Sequence, residues 1–110
     1  MAAGRMWILA AAISLASTLG FTSAPAPKVL QISIDKATFG DTPSGIAAGD
    51  IVEWINNDIF DHTSTSKTGN WDVVVPAGKK ARVVMKTAGS FDYFCKFHPN
   101  MTGTIRVAKK

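Results

Sequence analysis

Past residue 28 the chain alternates apolar and polar positions in short runs, and no stretch there sustains a helical repeat. Val29–Ile34 places Leu30, Ile32 and Ile34 on one face, the period of two expected of a half-buried strand. Ile51–Asn56 does the same with Val52 and Trp54 facing inward, and Lys79–Lys86 with Ala81, Val83 and Met85. Trp71–Val75 is a β-branched run stopped by Pro76, and Ser90–Cys95 aligns Phe91, Tyr93 and Cys95. Shorter strands are expected at Ala37–Phe39 and Thr63–Ser66, and a last one at Gly103–Val107. Between these runs lie clusters of Gly, Pro, Asn and Asp: Gly40–Gly45, Ala48–Asp50, Asn57–Asp61, Thr68–Asn70, Ala77–Gly78 and Ala88–Gly89. Turn signals every eight to twelve residues or so predict an all-β sandwich.

The first residues follow another pattern. Arg5 precedes an apolar run from Met6 to Leu19, which ends in the small residues Thr22-Ser23-Ala24. That three-part order predicts a signal peptide over residues 1–26, with Pro25 and Pro27 leaving the cleavage point open, and a single domain over 27–110. The apolar run is short for a spanning helix, which needs about 20 residues; contact with a membrane is expected only if the segment stays uncleaved. Setting Arg5 aside, eleven basic residues face eight acidic ones, dispersed along the chain. A mild positive charge without a dense basic patch argues against nucleic-acid binding.

A domain this small sits near the limit of what a hydrophobic core alone can stabilise. Exported domains of this size often add disulfides, but Cys95 is the only cysteine and cannot form one internally. A bound metal would protect the thiol and stabilise the fold.

The metal-ligating residue types occur sparsely and close together. Cys95, His98 and Met101 lie within Cys95-Lys96-Phe97-His98-Pro99-Asn100-Met101, and the other histidine, His62, lies upstream. Each has an ordinary reading alone: a buried cysteine, a core methionine, a loop histidine. Together, one thiolate, two imidazoles and one thioether make the ligand set of a blue-copper electron-transfer site. Zinc is disfavoured, since its structural sites use several cysteines or histidines and methionine serves it poorly. Pro99 stiffens the loop at His98, and Gly103 is expected to give the backbone freedom to enter the last strand.

The runs Val52-x-Trp54-x-Asn56-Asn57-Asp58, His62-Thr63, Pro76-x-Gly78 and Gly89-x-Phe91-x-Tyr93-x-Cys95-x-x-His98-Pro99-x-Met101-x-Gly103-x-Ile105-x-Val107 resemble the plastocyanin/azurin family of cupredoxins. The Cys-x-x-His-x-x-Met spacing is similar to the short loop of the amicyanins within that family. The resemblance implies a Greek-key β-sandwich binding one type 1 copper per chain through His62, Cys95, His98 and, weakly, Met101. It also implies a partly exposed His98 that passes electrons, with Phe97, Pro99 and Met101 forming a docking patch around it. Family members commonly carry Asn after the first histidine ligand, where this chain has Thr63. A hydroxyl has one donor where an amide has two, so the restraint on the cysteine strand, and with it the reduction potential, is expected to differ.

The function these readings favour is a periplasmic or otherwise exported one-electron carrier, monomeric and not an enzyme. Its redox partners would be a dehydrogenase, a cytochrome or an oxidase docking near His98. Copper handling is the alternative, although such proteins usually present Met- or His-rich tracts absent here. Multicopper catalysis would need further histidines, and both are already used.

Overall fold

Among the described residues the alternating runs become eight strands: β1 (Val29–Asp35), β2 (Thr38–Phe39), β3 (Ile51–Asn56), β4 (His62–Ser66), β5 (Asp72–Val75), β6 (Lys80–Val84), β7 (Gly89–Phe94) and β8 (Thr102–Val107). The structure, a computed structural model, describes residues 26–110 continuously and, before them, only residues 4, 11–13 and 20. The expected signal peptide therefore lies almost wholly outside the described residues. Among those residues, no helix is long and apolar enough to cross a membrane.

Two four-stranded sheets form, ordered β2-β1-β3-β6 and β5-β4-β7-β8. β1 and β3 pair in parallel, Val29 opposite Ile51 through Ile34 opposite Asn56, while the other strand pairs are antiparallel. This is the expected Greek-key sandwich. Ile32, Ile34, Val52 and Trp54 from one sheet meet Val75, Tyr93, Ile105 and Val107 from the other, all buried. Trp54 packs edge-on to Tyr93 with ring centroids 5.6 Å apart, and its indole N–H donates to the Tyr93 hydroxyl at 3.4 Å. Losing a ring of that size from a core typically costs about 3–5 kcal/mol.

Three local features prepare the metal-binding end. First, the β1–β2 hairpin turns through Lys36 and Ala37 with φ of 49° and 54°. That is the left-handed pair a two-residue hairpin requires, in residues that adopt it at a cost of roughly 1–2 kcal/mol each. Second, β4 and β7 pair only at Thr65–Phe94 and Ser66–Tyr93, so the sheet opens beyond Phe94. Third, Gly103 is needed for closeness rather than for the expected backbone freedom: its φ is not positive. A Cβ there would lie 2.6 Å from two ring carbons of Tyr93.

Candidate metal centre

Cys95 follows the last residue of β7, and its position is set by the strand beside it: its N–H donates to the Met101 carbonyl at 3.0 Å, extending the β7–β8 pairing by one step. The loop then closes on itself. The Met101 N–H donates to the His98 carbonyl at 2.8 Å, and the His98 N–H to the Cys95 carbonyl at 3.3 Å. Each bond in this ring joins two of the three candidate ligands in the loop. Cys95 and Met101 are buried, His98 is half-buried, and Phe97 stands 56% exposed.

The open seam between β4 and β7 aims donors at the sulfur. With Thr65 opposite Phe94, Thr63 falls opposite Lys96, yet no ladder bond joins them. The Thr63 N–H instead donates to Cys95 Sγ at 3.3 Å, and the Lys96 N–H donates to the Thr63 hydroxyl at 2.8 Å. The direction of the remaining bonds follows from Asp72, whose carboxylate only accepts. Thr65 Oγ1 gives its proton to Asp72 at 2.9 Å, so Thr63 gives its own to Thr65 at 3.0 Å. Lys96 Nζ closes the circuit on Asp72 at 2.7 Å. The one proton of the Thr63 hydroxyl is thus committed to Thr65, and it is the main-chain N–H that touches the sulfur.

His62 opens β4 and is fully buried. Its Nε2 lies 2.7 Å from Asp58 Oδ2. The Ala37 amide first, with His62 and the Lys36 amide, holds the Asp58 carboxyl below the ordinary range against the opposing effect of burial. An ionised carboxylate accepts only, so Nε2 carries a proton toward Asp58 and Nδ1 is the ring atom that faces the sulfur; in the neutral ring that atom is the lone pair a metal would take. The loop before His62 is pinned by Asn56, whose amide donates to the carbonyls of Phe60 and Val75 at 2.8 and 2.9 Å and accepts from the Asp58 N–H at 2.9 Å.

The result is a cluster of His62, Cys95 and His98 whose donor atoms all lie within 4.8 Å of one another. Cys95 Sγ is 3.8 Å from Nδ1 of His62 and 3.8 Å from Nδ1 of His98. Two metal–ligand bonds of about 2.0–2.3 Å meeting at a trigonal angle span roughly 3.7 Å, so a transition-metal ion fits among the three. Burial pushes the Cys95 thiol up. The Thr63 amide, the His98 and His62 rings and the Phe97 amide together outweigh that and bring it down to about 6, so it is largely thiolate, the ligating form, at neutral pH.

A family model described as a cupredoxin-like domain matches residues 5–107. The chain belongs to this family. As a cupredoxin it is 30% identical over 89 residues to amicyanin from Paracoccus versutus, covering 76% of this chain and 67% of that protein. The crystal structure of amicyanin from that organism matches with a TM-score of 0.61 at 28% identity, covering 77% of this chain and 85% of that one. A variant amicyanin in its Cu(I) form shares the fold at a TM-score of 0.60 and 22% identity, covering 74% and 82%.

His62, Cys95 and His98, picked out by residue type, come together in space, and Met101 sits buried at the end of the same loop. Met101 is almost wholly buried and only edges the surface around His98, where Phe97 and Pro99 are the exposed residues. Asn56 and Asp58 stood in a family-like run without a role at the site, and Thr65 and Asp72 were not singled out. Asp58 stands four residues before His62, a weak signal in a loop already rich in Asn and Asp.

Proposed function

We propose that this cupredoxin binds one copper ion through His62, Cys95, His98 and Met101 and carries single electrons between redox proteins. The observation that carries this reading is the pair of imidazole Nδ1 atoms, each 3.8 Å from a buried thiol brought down to about 6. Soft thiolate beside imidazole suits copper in both oxidation states, and copper, when bound, would supply a one-electron couple. The protein's part is to hold still. His62 and Cys95 are buried, which keeps water from the donors, and the loop ring and the Thr63 circuit keep the ligands in place whichever charge the centre carries. His98 alone of the three is partly exposed, which makes its ring the route to a partner docking over Phe97 and Pro99.

Such a carrier performs no chemistry on a substrate and works as a monomer, leaving this face free for a dehydrogenase, cytochrome or oxidase. Residues 1–26 act as a signal peptide, which places the protein in the periplasm. N-terminal sequencing of the exported protein checks that assignment: a mature chain still beginning at Met1 overturns it.

The deciding experiment is the visible spectrum of the protein loaded with Cu(II). An intense thiolate-to-copper band that bleaches with ascorbate and vanishes in Cys95→Ala is the expected result. A colourless protein that still binds copper would replace the carrier with copper handling. One that binds no copper removes both.

A further inference from the structure

Asp58 lies outside the cluster of donor atoms, yet its carboxylate is engaged by three donors. Oδ1 accepts from the Lys36 amide at 2.7 Å, and Oδ2 accepts from the Ala37 amide at 2.8 Å and from His62 Nε2 at 2.7 Å. Successive main-chain amides in a turn can point to one side and bind an anion between them, as those of Lys36 and Ala37 do here. Both residues are left-handed, and neither is glycine. The turn thus adopts a conformation its residue types resist, and the acid it captures is the one that grips His62. Asp58 is itself positioned by Asn56, which is buried and fully hydrogen-bonded. The same turn reaches the ligand loop, since Ala37 lines a surface hollow with Phe97, His98, Pro99, Asn100 and Met101.

This arrangement has an electronic consequence. A full negative charge on the Nε2–H of an imidazole makes its Nδ1 a stronger donor, as hydrogen bonds to metal-bound histidines do generally. It also lies only one ring away from the metal position, so its charge acts on a bound ion across the buried His62 ring. Both effects favour the more highly charged state of a bound ion.

We propose that Asp58 is a positioning residue for His62 that also tunes the centre: it fixes the Nε2–H tautomer and lowers the reduction potential, while the Lys36–Ala37 turn holds it in place. The proposal rests on the copper reading above. Asp58→Asn keeps the shape and removes the charge, and its amide group loses the bond to one of the two turn amides.

Spectroelectrochemical titration of the copper-loaded wild type and Asp58→Asn tests it. Both should keep the blue band, and the variant should be tenfold easier to reduce, an upward shift of about 59 mV for a one-electron couple. An unmoved potential with the band retained overturns the tuning. If the variant fails to fold or to take up copper, the wild-type His62 ring decides, through nitrogen-15 correlation spectra of the reduced protein. A slowly exchanging proton on Nε2 supports the clamp, and a proton on Nδ1, or one that exchanges at once, overturns it. A wild type without the blue band brings down the copper reading instead, and the Nε2 proton of the metal-free protein still decides the clamp by itself.

Discussion

Cys95, His98 and Met101 are tied to one another by main-chain hydrogen bonds, whereas His62 is held by the side chain of Asp58, which the Asn56 side chain and a distant turn position in their turn. In the loop, the bonds from Cys95 to Met101, Met101 to His98 and His98 to Cys95 use only backbone atoms. Spacing alone fixes that geometry, and the residues between the ligands are free to vary so long as their number does not. Around His62, the Asp58 carboxylate and the Asn56 amide contribute what the main chain does not, and the Lys36–Ala37 turn adds two main-chain amides that hold the carboxylate. Geometry built from backbone tolerates substitution and resists insertion; geometry built from side chains does the reverse.

The largest effect separating the two should come from Asn56→Ala. It strips partners from the buried Val75 carbonyl, the Phe60 carbonyl and the Asp58 N–H, and each unsatisfied group costs about 1–3 kcal/mol when buried. Denaturant unfolding of the metal-free protein should show a loss of roughly 2–4 kcal/mol, with weakened copper uptake; a variant as stable as wild type would mean that the His62 side does not depend on side chains. On the loop side, Gly103→Ala drives a methyl into the Tyr93 ring. Overpacking of this kind costs about 1–3 kcal/mol, yet the main-chain ring leaves room for the blue band to survive, so a band lost before stability would contradict the comparison.

Thr63→Val sits between the two regions. It keeps the shape and the N–H to the sulfur but leaves the Lys96 N–H without its acceptor, for a cost of about 1–3 kcal/mol. The potential should move less than in Asp58→Asn, because no charge is lost; an equal or larger shift would make the hydroxyl, rather than the acid, the stronger tuning element. The smallest effect belongs to Lys96→Ala. Its ion pair with Asp72 joins two half-exposed side chains, and pairs of that kind contribute about 0–1 kcal/mol and are screened by salt. A thermal scan in low and high salt should barely separate variant from wild type.

Much of this architecture could be read from residue order. Alternation in Val29–Ile34 and Ile51–Asn56 marks the buried faces, because a strand must turn every second side chain inward. The loop ligands were legible for the same reason that they are robust: their separation along the chain is their geometry. Met101 was legible as a ligand candidate but not as buried, since the depth of the loop depends on how β8 leaves it. Gly103 was recognised with the wrong reason, because a sequence displays a missing side chain without showing whether torsion or crowding demands it. Asp58 stood in a family-like run, but its grip on His62 was hidden. Its partners Lys36 and Ala37 lie more than twenty residues away, and an alanine at positive φ has no sequence signature.

The parting of β4 from β7 has one more consequence. At Thr63 the N–H that would complete a ladder points at a sulfur atom, so that amide senses the electron density of Cys95 directly. Its proton exchange rate and its chemical shift should change with the charge on the thiolate. A single amide resonance would then report the state of the centre in a spectrum where a reduced copper protein shows no colour.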